Sequence, residues 1–351
     1  MSATEQARHK GCVFVQIRNA WVRAAMAALC AGARGARDML PIMRAFAIFL
    51  GLFAVAFVVV ALFTYPAWLL LHPHFDFPFH RIGERIGMLG LLVGFWLLAR
   101  RLGLADRASL GYGTARRVFV RDLAIGLALG VVTMLVIVGI MAALGLLEWR
   151  GDAPVGAGAL AKLVAARLAS GLAVALIEET FVRGAMFTAI QRESGTRMAV
   201  ILTSILFSAS HFFGKVRIPP EQVTAWSGVG LITGTLHAFA DPLAIADAFL
   251  CLAAVGAVLA IVRAETGNIA STLGLHAGWV WVMLVAHEMT QPSPSSPLRF
   301  LLSQFDGFVG WLVLAWTALM GVALWWFYAR LRTGTRAKTT LFARRGPWRS
   351  R

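Results

Sequence analysis

Glu178 and Glu179 stand side by side in an apolar run, Leu176-Ile177-Glu178-Glu179-Thr180-Phe181-Val182-Arg183, whose flanks from Leu163 to Ile190 are rich in Ala, Leu and Val. A carboxylate near a bilayer centre costs about 2.5–3.5 kcal/mol even on insertion scales, so ionisable groups there mark function by default. Arg183 follows Glu179 by four residues and shares its helix face. Glu178 points roughly 100° away. A buried charge needs a partner, so the spacing pairs Glu179 with Arg183 and leaves Glu178 for another task. Two histidines lie in later apolar segments: His211 in Phe207-Ser208-Ala209-Ser210-His211, and His276 in Gly274-Leu275-His276-Ala277-Gly278-Trp279. A carboxylate and two imidazoles are the groups of general acid–base chemistry or of an intramembrane proton relay.

These residues need membrane helices to hold them. Of 351 residues 59% are hydrophobic and only 14% charged, and the mean hydropathy is +0.73. A soluble domain carries roughly 25% charged residues. The pattern gives an all-α, multi-pass transmembrane bundle of about eight spans: 45–71, 84–99, 120–147, 161–190, 198–213, 243–262, 268–288 and 308–329. Strands are not expected, because the runs lack the alternation of a membrane barrel. Residues 1–43 form a basic segment in which 18–37 could lie as an amphipathic helix on an anionic surface. Residues 44–330 form the bundle, and 331–351 a basic tail with the character of a disordered segment.

The net charge of +16 would suggest nucleic acid in a soluble chain. Here the cations gather at the chain ends and in alternate loops, with Arg100, Arg101, Arg107, Arg116, Arg117 and Arg121 in one, Arg192 and Arg197 in the next, then Arg263. That is the positive-inside pattern. It places both termini in the cytoplasm, makes the chain an integral protein of the cytoplasmic (inner) membrane, and argues against a nucleic-acid partner. Cys12, Cys30 and Cys251 are odd in number and far apart, so no disulfide framework or zinc ribbon follows. The segment 213–242, with Pro219-Pro220 and a Gly-rich apolar stretch, reads as re-entrant or interfacial.

Depth agrees across the three segments. Glu178 lies 14 residues before Arg192 and His211 lies 14 after Arg197, each about 21 Å from that charged loop at 1.5 Å per residue. His276 is 11 residues past Glu265, about 16 Å by the same rise. Other polar residues have simpler readings. His237 reads as interfacial, Asp241 and Asp247 as helix-start charges, and His72, His74 and His80 as surface histidines.

Glu178-Glu179-Thr180-Phe181-Val182-Arg183, Phe207 to His211 and His276 occur in the order EExxxR, FxxxH and late-helix His. This pattern resembles the CPBP intramembrane protease family, which includes the type II CAAX prenyl endopeptidases and Abi-type proteins. The resemblance covers about residues 160–290. It implies endopeptidase action on a membrane-embedded or lipidated peptide, with catalytic Glu178, His211 and His276 supported by Glu179 and Arg183. Glu178 would be the general base, His211 would orient the water, and His276 would donate to the oxyanion. The family has been described both as zinc-dependent and as metal-independent. If zinc is present, Glu178, His211 and His276 are the expected ligands. The chain has no HExxH, since His287-Glu288 continues Met289-Thr290-Gln291. One position departs: the endopeptidases commonly carry asparagine four residues past the last histidine, where this chain has Val280. A catalytically silent scaffold or immunity protein of the same fold is the alternative that this departure favours. A proton-coupled transporter is a further one, disfavoured by the lack of internal repeats.

Overall fold

The computed structural model describes residues 44–154, 156–213 and 216–344. The expected amphipathic segment at 18–37 and the last residues of the tail lie outside them. Nine α-helices succeed one another among the described residues: α1 Arg44–Leu71, α2 Phe79–Ala99, α3 Arg116–Ala143, α4 Ala157–Glu178, α5 Phe187–Ser210, α6 Ser227–Ala238, α7 Ala246–Thr266, α8 Ala270–Met289 and α9 Trp311–Arg344. Between α4 and α5 the chain stays helical but widens to a π-helix, Glu179–Met186. The sequence pattern reads straight through this segment as α-helix.

Five segments are long and apolar enough to cross a membrane: Arg44–Leu71, Phe79–Ala99, Arg116–Ala143, the run Ala157–Ser210, and Ala246–Thr266. Trp311–Phe327 is a shorter apolar stretch. Helix α8 falls outside the set for a physical reason. It packs against α3, α4 and α7 and buries His276 with Gly274, Gly278 and Trp279, so protein rather than lipid surrounds much of its length. Ala157–Ser210 is broken at Gly195, whose φ of 82° and ψ of 169° suit glycine. The break folds the chain back on itself, so that the Arg183 guanidinium lies 4.3 Å from the Phe207 ring centre, twelve residues to either side of Gly195.

Two features differ from the sequence expectation, and a third gives it a specific form. A two-stranded antiparallel pair, β1 Leu147–Trp149 with β2 Thr290–Pro292, ties the end of α3 to the end of α8. These segments come directly after paired helices, and the exposed ends of the helices bring the two extended tripeptides together. Helix α9 continues to Arg344, past the end of the apolar run at which a tail was expected. The 213–242 segment contains α6, which at 12 residues spans about 18 Å, too short to cross. It lies against α1, where a Cβ on Gly228 would stand 2.3 Å from the Ala61 carbonyl oxygen. Burial against protein is how such short segments are tolerated at membrane depth.

The closest helix packing is between α3 and α8. Gly126 and Gly130 on α3 face Gly274 and Gly278 on α8, a GxxxG spacing on each side. A Cβ on Gly274 would meet the Leu123 oxygen at 2.1 Å, and one on Gly126 the Ser271 oxygen at 2.3 Å. On another side of α8, Gly171 of α4 comes so close that its Cβ would lie 3.0 Å from the Ala277 oxygen. In lipid, helices associate through such close backbone approach. The indole of Trp279 donates to Thr133 at 2.9 Å and that of Trp281 to the Val164 carbonyl at 2.9 Å. Helix α8 is thus clamped by α3 and α4 along the turns that carry His276. Gly274→Ala is expected to cost about 1–3 kcal/mol by overpacking, read as a lower unfolding temperature in detergent. Gly139→Ala, on the same α3 but with nothing within 4 Å of the added carbon, leaves the temperature unchanged or raises it slightly.

Candidate active site

The π segment carries the ion pair at the centre of the site. Glu179 and Arg183 are both fully buried, and Arg183 Nη1 donates to Glu179 Oε1 at 3.0 Å. The pairing expected from the spacing is present. The same Glu179 oxygen accepts from His276 Nδ1 at 2.9 Å. Because an ionised carboxylate only accepts, Nδ1 carries the proton and Nε2 is the free ring position. That Nε2 lies 4.0 Å from Glu178 Oε2. His276 therefore stands between the two glutamates. Glu178 differs from its neighbour in being one-third exposed where Glu179 is fully buried; the Oε2 atoms of both lack a hydrogen-bond partner in the protein.

His211 caps the end of α5, and its Nδ1 bonds to the Phe207 carbonyl at 2.8 Å. A carbonyl also only accepts, so the free position of His211 is again Nε2. The Phe207 ring joins the parts. Its centre is 4.5 Å from the His211 ring, 5.8 Å from the His276 ring and 4.3 Å from the Arg183 guanidinium, the last a cation–π contact. The structure thus brings Glu178, Glu179, Arg183 and His276 into direct neighbourhood, with His211 one aromatic ring away. Thr272, wholly buried one turn before His276, is a further neighbour of Glu179. Val280 lies one turn beyond His276 on α8 and is partly exposed. His237 is exposed, and Asp247 accepts from the Ala248 amide at 2.7 Å at the start of α7, as a helix-start charge does.

Surrounding elements fix the π segment on every side. Phe181 is met edge-on by Phe49 and Phe53 of α1 and Phe95 of α2, with ring centres 5.5–5.9 Å apart. The loop before α3 reaches both halves of the site. Tyr112 Oη hydrogen-bonds Thr180 Oγ1 at 2.6 Å, the Leu110 carbonyl would stand 2.7 Å from a Cβ on Gly184, and the Gly111 carbonyl accepts from the Ile269 amide at 3.1 Å just before α8. In that loop the Asp106 carboxyl is held below the usual carboxylate range by the Ser109 hydroxyl and amide. Arg263 corrects the charge reading. It is buried in the last turn of α7 and bonded to the Arg183 carbonyl, so it is not a free loop cation.

The zinc ligand set expected from the resemblance is not assembled. Among the described residues no three His, Cys, Asp or Glu side chains stand together in a way that could hold a metal ion. A cavity of about 1020 Å³ lined by Leu243, Asp247, Arg299 and Asp306 lies at the far end of α7 and contains none of the site residues.

Residues 160–282 match the family model described as type II CAAX prenyl endopeptidase Rce1-like. No curated protein and no solved structure matches the chain. The matched stretch holds Glu178, Glu179, Arg183, His211 and His276, and it supports an intramembrane protease acting in an integral membrane bundle.

Several contributors escaped the sequence reading: the Phe207 ring as a hub, Tyr112, and the glycines that clamp α8. The paired GxxxG spacings were a signal for the last. The buried Glu179–Arg183 pair yields a prediction of its own. Removing one partner of a buried ion pair leaves an uncompensated charge and costs about 3–5 kcal/mol. Glu179→Gln and Arg183→Met should each lower stability by that order in denaturant titrations in micelles. The double variant should cost less than their sum, as contacting residues couple.

Proposed function

We propose that this chain is an intramembrane endopeptidase that hydrolyses a peptide bond of a membrane-associated CAAX-type or other lipidated or membrane-embedded peptide, with water activated by Glu178. The observation that carries this reading is the difference between adjacent glutamates. Glu179 is fully buried and its Oε1 is taken by both Arg183 and His276. Glu178 is one-third exposed, is engaged by no hydrogen-bond donor at Oε2, and stands 4.0 Å from His276 Nε2. The Oε2 of Glu179 also lacks a partner, so it is exposure and the free Nε2 that set Glu178 apart.

That separation is too long for a direct hydrogen bond, and a polar gap of this size suits a bridging water. Glu178 takes a proton from the water as the oxygen attacks the peptide carbonyl carbon. With Nδ1–H committed to Phe207, His211 offers the Nε2 lone pair to the second water hydrogen and orients the attack. In its imidazolium form His276 donates Nε2–H to the oxyanion, the task for which Val280 supplies no amide. The C–N bond then breaks, and Glu178 returns its proton to the leaving amine. Glu179, held by Arg183, accepts from Nδ1 and so fixes the orientation of the His276 ring with Nε2 toward Glu178. The charge pattern of the loops supports eight crossings of the cytoplasmic membrane with both termini inside.

The test uses the purified chain in liposomes with paired C-terminal peptides, one prenylated and one not. Glu178→Gln should lower kcat by about 10²–10⁴-fold with an unchanged unfolding temperature. His211→Asn and His276→Asn should also fall sharply. Full activity in all three variants would sink the assignment. Cleavage of the unprenylated peptide alone would remove the lipid from the substrate reading while keeping the protease.

A further inference from the structure

We propose that Arg263 is a positioning residue that stabilises the π register of Glu179–Met186 and so sets the geometry of Glu179, Arg183 and His276. In an α-helix the Phe187 amide would donate to the Arg183 carbonyl, four residues back. Here it turns instead to the carbonyls of Val182 and Gly184, so that this amide passes over the Arg183 carbonyl. Arg263 Nε donates to that carbonyl at 3.1 Å. Arg263 Nη2 reaches Thr188 Oγ1 at 3.4 Å, and the Thr188 hydroxyl donates onward to the Ser109 carbonyl at 2.8 Å. The guanidinium also lies 5.7 Å from the Phe187 ring centre.

A buried backbone carbonyl without a partner is costly, and in lipid the cost rises. A π segment leaves such a carbonyl where it returns to α register, so the register persists more readily where something else donates to it. A fork of guanidinium donors suits a carbonyl and a hydroxyl together, which a lysine ammonium satisfies less well. The general alternative is a cation that merely complements the α7 dipole at its last turn. An exposed side chain would serve that purpose. Arg263 is instead only 6% exposed, and its contacts lead to the π segment.

Helix α7 holds Arg183 from both ends. Gly256, two turns before Arg263, accepts from Arg183 Nη2 at 3.2 Å. A Cβ there would stand 2.9 Å from Ser204 Cα, so glycine lets α7 come close to α5. The side chain of Arg183 is thus fixed at Gly256 and its carbonyl at Arg263. Loss of the Arg263 contact lets the segment relax toward α-helical register, which rotates Glu178 and Glu179 by about 100° relative to α5. That change removes Glu179 from His276.

The catalytic consequence rests on the proposed protease reading, so the experiment carries a readout that does not need cleavage. The full-length chain, in micelles, is labelled with ¹⁵N-histidine, and the Nδ1 resonance of His276 is assigned by its absence in His276→Asn. In Arg263→Met this resonance should move away from its hydrogen-bonded position, and Arg263→Lys should restore it in part. In liposomes Arg263→Met should lower kcat by about 10²-fold, the scale of a 1 Å misplacement, with KM within about threefold of the parent. Should Arg263→Met fail to fold, Thr188→Val, which removes the second anchor of the guanidinium, should move the resonance in the same direction by less. A moved resonance in a protein that cleaves nothing supports the positioning role and counts against the protease reading alone. An unmoved resonance in a folded Arg263→Met, or in Thr188→Val where that is the only folded variant, overturns the proposal.

Discussion

The buried ion pair of Glu179 and Arg183 is the constraint on which the rest depends. Two charges at 0% exposure carry a desolvation penalty of several kcal/mol each, and their attraction offsets it only with good geometry and further hydrogen bonds. Those bonds come from three separate elements. His276 of α8 donates to Glu179, Gly256 of α7 accepts from Arg183, and the Phe207 face of α5 covers the guanidinium. An interaction this costly in isolation therefore forces α7, α8 and the two limbs around Gly195 into one arrangement. The nearby Glu178 gains its different character from the same arrangement. It is one residue outside the network, partly exposed and short of a partner.

The close glycine contacts supply the packing that the charges alone do not. An ion pair fixes a point, whereas a histidine must also be turned to the correct angle. Helix α8 meets α3 through Gly126, Gly130, Gly274 and Gly278, and α4 through Gly171. A helix gripped so closely that a Cβ added at these glycines would stand only 2.1–3.0 Å from neighbouring backbone has little room to rotate. Dispersion and close approach thus set the rotation of α8, and electrostatics reads out the result at His276. This division explains why α8 tolerates a polar load that lowers its apolar character, since much of its surface never meets lipid.

Each sequence pattern made legible only the property it encodes. Apolar runs report the length of a helix, so most of the long helices were found within a few residues, whereas α9 runs on to Arg344 past its apolar stretch. The i,i+4 spacing reports a shared face, so Glu179 and Arg183 were paired correctly. Similar depth of Glu178 and His276 relative to charged loops anticipated their approach to 4.0 Å, while His211 stands across the Phe207 ring from His276. The π register was not legible, because a change from i−4 to i−5 bonding depends on donors such as Arg263 that arrive from distant elements. Arg263 itself was misread for a related reason. A cation at the end of an apolar run looks like a loop charge, and only burial at 6% separates the two. The short strands and α6 were hidden because three extended residues, or twelve helical ones, have no periodicity strong enough to stand out.

The same residues also explain why two adjacent glutamates are needed where one base would suffice for the chemistry. A lone carboxylate beside His276 would leave both the imidazole tautomer and its orientation undetermined. Glu179 removes that freedom by accepting from Nδ1, which directs Nε2 toward Glu178. Arg183 is then required to keep Glu179 ionised and acceptor-only, and Phe207 and Gly256 are required to hold Arg183. Each added group answers a freedom left by the one before it. The chain of dependence ends at groups that are themselves fixed by backbone: the Gly256 carbonyl and the carbonyl of Arg183 beneath Arg263.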